Sequence, residues 1–277
     1  MKSLYDCFVS SPFCANKYTS YFTSYETLLS ELRNIPIVLL EIGVQDGGSL
    51  YMWKEYLHPD SKIVGWDLNP DIARLQDHGF GIIIGDQSNL SNWQAALHKY
   101  GPFDVIIDDG SHIYTHQIKS VLYSINCLKS KGLIIVEDTH TSFIRHYGGP
   151  TKYSFVNWTH FMANMLNFRS PTLSREKQFK LPIISITHFE SIIAFKIDKT
   201  ISYSSCQLVS NNKTKFLSAK DYTFASDNLL SSIFPSPLNF IFGLMLNLFA
   251  FHPSLQVRIK SKLMNLSASQ YFKTSLF

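Results

Sequence analysis

Two apolar runs in this chain end abruptly in clusters of acidic residues. Val105–Ile107 leads into Asp108-Asp109-Gly110-Ser111-His112, and Leu133–Val136 leads into Glu137-Asp138. Short apolar runs are typical of strands buried in a parallel sheet, and open α/β sheets bind their ligands at the carboxyl ends of such strands. Carboxylates that converge at one sheet edge repel one another unless a cation lies among them. The pattern therefore predicts a site for a hard metal ion at this edge.

Predicted strands and helices alternate along residues 37–136. The strands are expected at Ile37–Ile42, Lys62–Trp66, Ile82–Ile84, Val105–Ile107 and Leu133–Val136, and the helices at Leu50–Tyr56, Ser91–Lys99 and Ile118–Leu128. This alternation indicates an α/β fold with a doubly wound, mostly parallel, Rossmann-like sheet. We also expect a helix over Tyr25–Arg33, a helix over 155–167, a loop over 168–180, and a closing antiparallel hairpin formed by Ile183–Ser185 and Ser191–Phe195.

The charge of the chain is unevenly distributed. Its formal net charge of +4 arises from an excess of Lys and Arg in residues 199–277, whereas residues 1–198 carry a slight acidic balance. A basic balance confined to one end, without basic runs interleaved with aromatic residues, argues against a nucleic-acid partner. We expect three parts: an N-terminal helical segment on the substrate side over 1–35, a main domain over 36–198, and a basic, partly helical extension over 199–277.

The extension contains an apolar run, Leu238–Phe251, that is followed by Arg258, Lys260 and Lys262. As a helix this run would span about 21 Å, short of a ~30 Å hydrocarbon core. Residues 238–262 could dock on the inner face of a membrane, or the helix could pack on the main domain or across a homo-oligomer; we favour packing. The opening residues lack the apolar stretch of a signal peptide and the four cysteines lack ligand spacing, so we expect a cytoplasmic protein.

The ends of the first three predicted strands carry features of a nucleoside-type cofactor site. Glycines in the turn after the first strand allow a ligand to approach the backbone, and Asp67 at the end of the second strand suits the two hydroxyls of a ribose. Asp86 and Gln87 could read an adenine edge. Each signal is common by itself, but their order along the sheet favours such a cofactor. The predicted cofactor-binding residues are Glu41, Gly43, Gly47, Ser49, Asp67, Asp86, Gln87 and Asp108.

Several of these motifs resemble those of a known enzyme family. The matching stretches are Leu40–Val44, Gly47–Leu50, Met52-Trp53, Gly85–Ser88, Ile106–His112 and Val136–Thr139. Over residues 14–197 the chain resembles class I S-adenosylmethionine-dependent methyltransferases, in the metal-dependent branch of macrolide-sugar O-methyltransferases of the mycinamicin and tylosin type and cephalosporin-hydroxylase-like proteins. Asn16-Lys17-Tyr18 stands where this branch often has Asp-Lys-Gly.

The resemblance implies a divalent ion, usually Mg²⁺, held by Asp109, Glu137 and Asp138, and a general base at His112. An all-oxygen carboxylate set independently suits Mg²⁺, and no cluster of Cys and His offers a zinc site. Two alternatives stay open. Asp108 and Asp109 could cap a helix and serve the cofactor loop without a metal, and His112 could be an ordinary surface or capping histidine.

The leading hypothesis is an S-adenosylmethionine- and Mg²⁺-dependent O-methyltransferase that acts on a sugar hydroxyl of a natural product or a glycan. A neutral imidazole could accept the proton of a hydroxyl whose pKa is lowered by the ion. Tyr18, Tyr21 and Tyr25 could line the acceptor pocket or could be core aromatics. The alternatives are N-methylation, a role associated with hydroxylases, and a non-catalytic, membrane-tethered binding protein.

Overall fold

A seven-stranded sheet forms the centre of the protein in a computed structural model that describes residues 2–167, 181–201 and 209–211. Its strands are β1 Val38–Ile42, β2 Lys62–Asp67, β3 Gly81–Ile84, β4 Phe103–Asp108, β5 Leu128–Val136, β6 Ile183–His188 and β7 Ile193–Asp198. The strand order is β3-β2-β1-β4-β5-β7-β6, and β7 runs antiparallel to both of its neighbours. The order reverses direction between β1 and β4, which is where ligands bind in open α/β sheets.

Helices cover both faces of the sheet. They are α1 Leu4–Val9, α2 Thr19–Leu29, α3 Gly48–Tyr56, α4 Leu90–Tyr100, α5 Tyr114–Cys127 and α6 Phe155–Leu166, together with 3-10 helices at Pro70–His78, Thr139–Phe143 and Arg145–Tyr147. Successive residues of a strand point to opposite faces. Leu39 of β1 therefore joins the apolar cluster of α1, α2 and α3, whereas Leu40 joins the cluster of α4, α5 and α6.

The α/β fold with a mostly parallel sheet and a closing hairpin is confirmed, and the predicted strands are found. The predicted position of the N-terminal helix is wrong. The helix expected over Tyr25–Arg33 lies at Thr19–Leu29, because Tyr21, Tyr25 and Leu29 form the stripe that is buried against the sheet. The helix expected to reach Leu128 ends one residue earlier, at Cys127, since Leu128 pairs with Phe103 as the first residue of β5.

The predicted loop over 168–180 and the apolar run Leu238–Phe251 lie outside the described residues. The chain divides into units 1–206 and 207–277, and every helix and strand described here belongs to the first unit. Within that unit α1 and α2 share one apolar cluster with α3 and the sheet. Among the described residues no helix has the length and apolar character needed to cross a membrane. The domain limits at 35 and 198, the membrane contact and self-association stay predictions.

Candidate active site

A cavity of about 580 Å³ opens at the carboxyl ends of the strands. The loops that follow β1, β2, β3, β4 and β5 contribute to its wall, as does the N-terminal segment that carries Lys17. We call the wall formed after β1, β2 and β3 the cofactor side, represented by Gly43, Asp67 and Asp86. We call the carboxylates after β4 and β5, Asp109, Glu137 and Asp138, the acid side.

Two glycines in the turn after β1 occupy positions where a side chain would be strained. Gly43 has φ +84°, and a Cβ added there would lie 2.1 Å from the backbone oxygen of Asp109. Gly47, directly before α3, has φ +87°, and its Cβ would collide with the side chain of Leu75. The turn after β1 therefore depends on glycine both for its left-handed backbone and for close packing.

The acids of the cofactor side are held by backbone amides close to them. Oδ2 of Asp67 accepts hydrogen bonds from the amides of Val44 and Gln45, each at 3.0 Å, and Oδ1 accepts one from Asn69. Because a carboxylate oxygen can accept two hydrogen bonds, Oδ1 of Asp67 retains capacity for a hydroxyl donor. Asp86 is exposed at the cavity, and the amide of Ser88 lowers the pKa of its carboxyl.

The other predicted cofactor residues lie at or behind this wall. Gln87 donates to Asp108 and Ser120 and accepts from the amide of Ser111, each at 2.9 Å, so its amide group ties the loops after β3 and β4 together. Asp108 is buried, and Glu41 accepts a hydrogen bond from Ser49 at 2.7 Å. The lining of the cavity includes Gly43, Ser49, Asp67, Asp86 and Gln87, whereas Glu41, Gly47 and Asp108 are not among its lining residues.

The acid side contains two overlapping groups that could hold a metal ion. Among the residues that the structure describes, ligand atoms of Asp109, His112 and Asp138 lie within 4.8 Å of one another, and so do those of Glu41, Asp109 and Glu137. The oxygens of Asp109 and Asp138 fit a hard divalent ion. Glu137 belongs to the second group, so the three predicted ligands share this corner of the site but do not all fall in one group. Their assignment as ligands stays a prediction.

A cation that was not predicted from the sequence lies in this cluster. The side chain of Lys17 is only 3% exposed, and its Nζ lies 2.6 Å from Asp109 Oδ2, 2.5 Å from Glu137 Oε1 and 3.6 Å from Glu41 Oε1. Burial alone would lower the pKa of Lys17, but these three carboxylates raise it well above its usual value. Lys17 is therefore an ammonium, and it partly fulfils the need for positive charge that the sequence had indicated.

Burial shapes the ionisation of the carboxylates. It raises the pKa of Glu137 to about 8, an effect that Asp109 reinforces and that Lys17 and Tyr25 oppose. Burial also raises the pKa of Asp109, while Lys17 lowers it. The acid side thus differs from Asp86, whose pKa is lowered.

Two buried tyrosines of α2 complete the surroundings of the acids. Tyr21 donates a hydrogen bond to Asp138 Oδ1 at 2.5 Å, and Tyr25 donates one to Glu137 Oε1. Because residues four apart lie on one face of a helix, the spacing of Tyr21 and Tyr25 was a signal that both point the same way. Their partners, more than a hundred residues later in the chain, gave no such signal.

The predicted base and one predicted ligand have unusual backbone conformations. His112 has φ 55° and Asp138 has φ 54°, in the left-handed region that residues other than glycine rarely adopt. The buried Thr141 hydroxyl lies within hydrogen-bond distance of both backbone oxygens, at 3.0 Å from His112 and 2.7 Å from Asp138. Strained residues persist where surrounding contacts hold them, and they concentrate at functional sites.

The imidazole of His112 lies at the cavity beside the acids. Its Nε2 is 3.6 Å from Asp138 Oδ2, the side chain is 22% exposed, and the ring contacts Tyr147 edge-on. This position places an imidazole nitrogen next to Asp138 and within the wall of the same cavity as Asp67. The geometry is suited to a base that acts on a group bound between the two sides.

Solved structures define the class of fold. The MycE methyltransferase of the mycinamycin biosynthetic pathway, solved with Mg and SAH, superposes with a TM-score of 0.62 and 23% identity, over 70% of this chain and 53% of that protein. Another crystal form gives a TM-score of 0.61 at 22% identity. The fold is therefore that of the class I methyltransferases. No family model matches the chain.

Curated relatives point to a narrower group. Mycinamicin VI 2''-O-methyltransferase from Micromonospora griseorubida is 34% identical over 140 residues, which are 48% of this chain and 35% of the relative. Demethylmacrocin O-methyltransferase from Streptomyces fradiae is 33% identical over 132 residues, 45% of this chain and 33% of the relative. The chain thus matches about a third of their length. The resemblance inferred from the motifs, to O-methyltransferases of macrolide sugars, is confirmed.

Proposed function

We propose that this protein is an S-adenosylmethionine- and Mg²⁺-dependent O-methyltransferase that acts on a sugar hydroxyl of a small molecule or glycan. The observation that carries the proposal is one cavity bounded on one side by Asp67 and Asp86 and on the other by Asp109, Asp138 and His112. The similarity to sugar O-methyltransferases of macrolide and polyketide pathways supports the same reaction.

When bound, S-adenosylmethionine would supply an activated methyl group, and the ion would supply positive charge at the acceptor oxygens. The residues of the cofactor side would orient the donor. Gly43 would let the donor approach the backbone, Asp67 would accept hydrogen bonds from the ribose hydroxyls, and Asp86 with Gln87 would contact the adenine. Fixing the donor in this way removes much of the entropy cost of bringing two reactants together.

The residues of the acid side would prepare the acceptor. Asp109 and Asp138, with Glu137, would hold the ion, and their negative charge keeps it at one corner of the cavity. His112 Nε2 would accept the proton of the acceptor hydroxyl as that oxygen displaces the sulfonium sulfur from the methyl carbon, which would leave S-adenosylhomocysteine as the second product. An imidazole is suited to this step because the ordinary pKa of this type of group, about 6.5, lies near working pH.

The first experiment is a calorimetric titration with S-adenosylmethionine, with and without Mg²⁺. We expect binding in both cases, and absence of binding would refute the cofactor assignment. With glycosylated macrolides as trial acceptors, product mass should rise by one methylene unit, and turnover should stop in excess chelator and return with Mg²⁺. Turnover that is unchanged in chelator would refute the metal, and a methyl group found on nitrogen would refute the acceptor class.

A further inference from the structure

Among the described residues, one short segment supplies the side-chain hydroxyl and ammonium groups that hydrogen-bond to the carboxylate oxygens of the acid side. Lys17 bridges Asp109 and Glu137, Tyr25 donates to Glu137, and Tyr21 donates to Asp138. All three side chains are nearly inaccessible to solvent. We call Lys17, Tyr21 and Tyr25 the N-terminal clamp.

The cluster contains more acidic groups than basic ones. Glu41, Asp109, Glu137 and Asp138 bring four carboxyl groups together, and Lys17 is the one lysine or arginine that pairs with them among the described residues. Buried carboxylates without a counter-ion are costly, so the ammonium stabilises the assembled cluster. Lys17 supplies one positive charge to four carboxyl groups, which leaves the cluster able to attract a divalent ion.

Lys17 and the ion would contact the same carboxylates. The ammonium contacts Asp109 Oδ2 and Glu137 Oε1, and these two residues are predicted ligands. The two positive charges would repel each other across a poorly screened interior. Tyr21 and Tyr25 differ from Lys17 because their hydroxyls are neutral and only orient the carboxylates that they contact.

We propose that the N-terminal clamp assembles the acid side before the ion binds, with the Lys17 ammonium as an internal counter-ion that weakens the ion's affinity and with Tyr21 and Tyr25 as positioning residues. This inference rests on the ion site of the proposed function. It assigns the segment around residue 17 a role in metal affinity that is separate from contact with an acceptor.

The test for Lys17 compares the full-length protein with its Lys17→Met variant, using Mn²⁺ as the probe. We expect the metal-free variant to melt at a lower temperature than the metal-free wild type. Saturating Mn²⁺ should raise the melting temperature of the variant by more than it raises that of the wild type. The Mn²⁺ dissociation constant of the variant should be several-fold lower. Lys62→Met, which removes an exposed charge elsewhere, should change neither quantity. An Mn²⁺ dissociation constant that is unchanged or higher in Lys17→Met would overturn the counter-ion role.

Tyr21→Phe and Tyr25→Phe test positioning without a change in charge. We expect each to raise the Mn²⁺ dissociation constant by about tenfold, the size typical of lost outer-shell hydrogen bonds, while S-adenosylhomocysteine affinity stays the same. Tyr51→Phe, on α3 away from the acids, is the matched control. An unchanged Mn²⁺ affinity in both variants would overturn the positioning role.

The design separates two failures. If the wild-type protein binds no Mn²⁺, the ion site of the proposed function is refuted; if it binds Mn²⁺ but the variants behave like their controls, only the clamp is refuted. If Lys17→Met cannot be purified, Lys17→Gln removes the same charge while it keeps an amide donor, and the same comparison applies.

Discussion

The two sides of the cavity satisfy their carboxylates in different ways. On the cofactor side Asp67 and Asp86 accept hydrogen bonds from backbone amides, two of which lie only two residues away, and both stay accessible to solvent. On the acid side Glu137 is buried, and Asp109, Glu137 and Asp138 contact side chains that lie 92 to 120 residues earlier in the chain. Backbone amides therefore hold the acids of one side, and side chains of the N-terminal segment hold those of the other.

This difference has an energetic consequence. Backbone amides hold Asp86 as an anion and lower its pKa, whereas burial raises the pKa values of Asp109 and Glu137. The cofactor side can accept hydrogen bonds without rearrangement. The acid side holds negative charge that only nearby cations make favourable, which is the condition under which a divalent ion binds strongly.

The largest effect should come from Asp109→Asn, because Asp109 belongs to both potential metal groups. We expect turnover to fall by about a thousandfold or more, as expected when a bound ion's charge stabilisation is lost, while S-adenosylhomocysteine affinity is retained. Asp77→Asn, an exposed acid outside the cavity, is the control. If Asp109→Asn abolished cofactor affinity as strongly as turnover, cofactor binding would depend on the acid side, which would contradict the division of roles between the two sides.

His112→Asn should have the next largest effect. Removal of a general base typically costs about 10² to 10⁴ in rate, and we expect a loss in kcat within this range. Mn²⁺ and S-adenosylhomocysteine dissociation constants should stay close to those of the wild type. The exposed His98→Asn variant controls for loss of an imidazole. A changed KM with an unchanged kcat would contradict the role of base.

Asp67→Asn addresses the cofactor side alone. The substitution keeps the shape of the side chain but removes the charge that accepts hydrogen bonds from three amides. Hydrogen bonds to charged groups contribute about 1.5–3 kcal/mol, so we expect cofactor affinity to fall by about 10- to 100-fold. Calorimetry should show unchanged Mn²⁺ affinity, and a matching loss of Mn²⁺ affinity would contradict the division between the sides.

The smallest effect is expected for Thr141→Val, which keeps the shape of the side chain but removes the hydroxyl next to the backbone oxygens of His112 and Asp138. Loss of one such hydrogen bond should destabilise the fold by about 1 kcal/mol and reduce kcat by about 5- to 20-fold as the strained residues relax. Thr27→Val, which removes a hydroxyl bond to a backbone oxygen on the exposed face of α2, should cost less stability and no activity.

Much of the fold could be predicted from periodicity. The strands are short apolar runs and the helices follow them with amphipathic spacing, so their order indicated the sheet. The helix α1 was not predicted, and α2 was predicted at a different position. Its composition of Tyr, Ser, Thr and Phe gives a weak helical signal, and only burial of Tyr21, Tyr25 and Leu29 fixes where it begins and ends.

The candidate site also combines features that follow from local sequence with features that do not. Glycine turns and acids at strand ends are local features, so Gly43, Asp67 and Asp109 could be predicted as candidate site residues from the sequence. The clamp could not be identified in this way, because Lys17 meets its partners only after α2 packs beside the ends of β4 and β5. No spacing rule connects residues that are separated by 92 or 120 positions.

The sequence by itself determined the sheet, the turn after β1 and the presence of several carboxyl groups at one edge, because these follow from side-chain periodicity and from residues adjacent in the chain. The tertiary structure decided which cation lies among those carboxyl groups and which hydroxyls orient them. It also decided that His112 and Asp138 adopt left-handed backbone conformations beside Thr141. These features depend on contacts between distant segments, and such contacts exist only once the chain has folded.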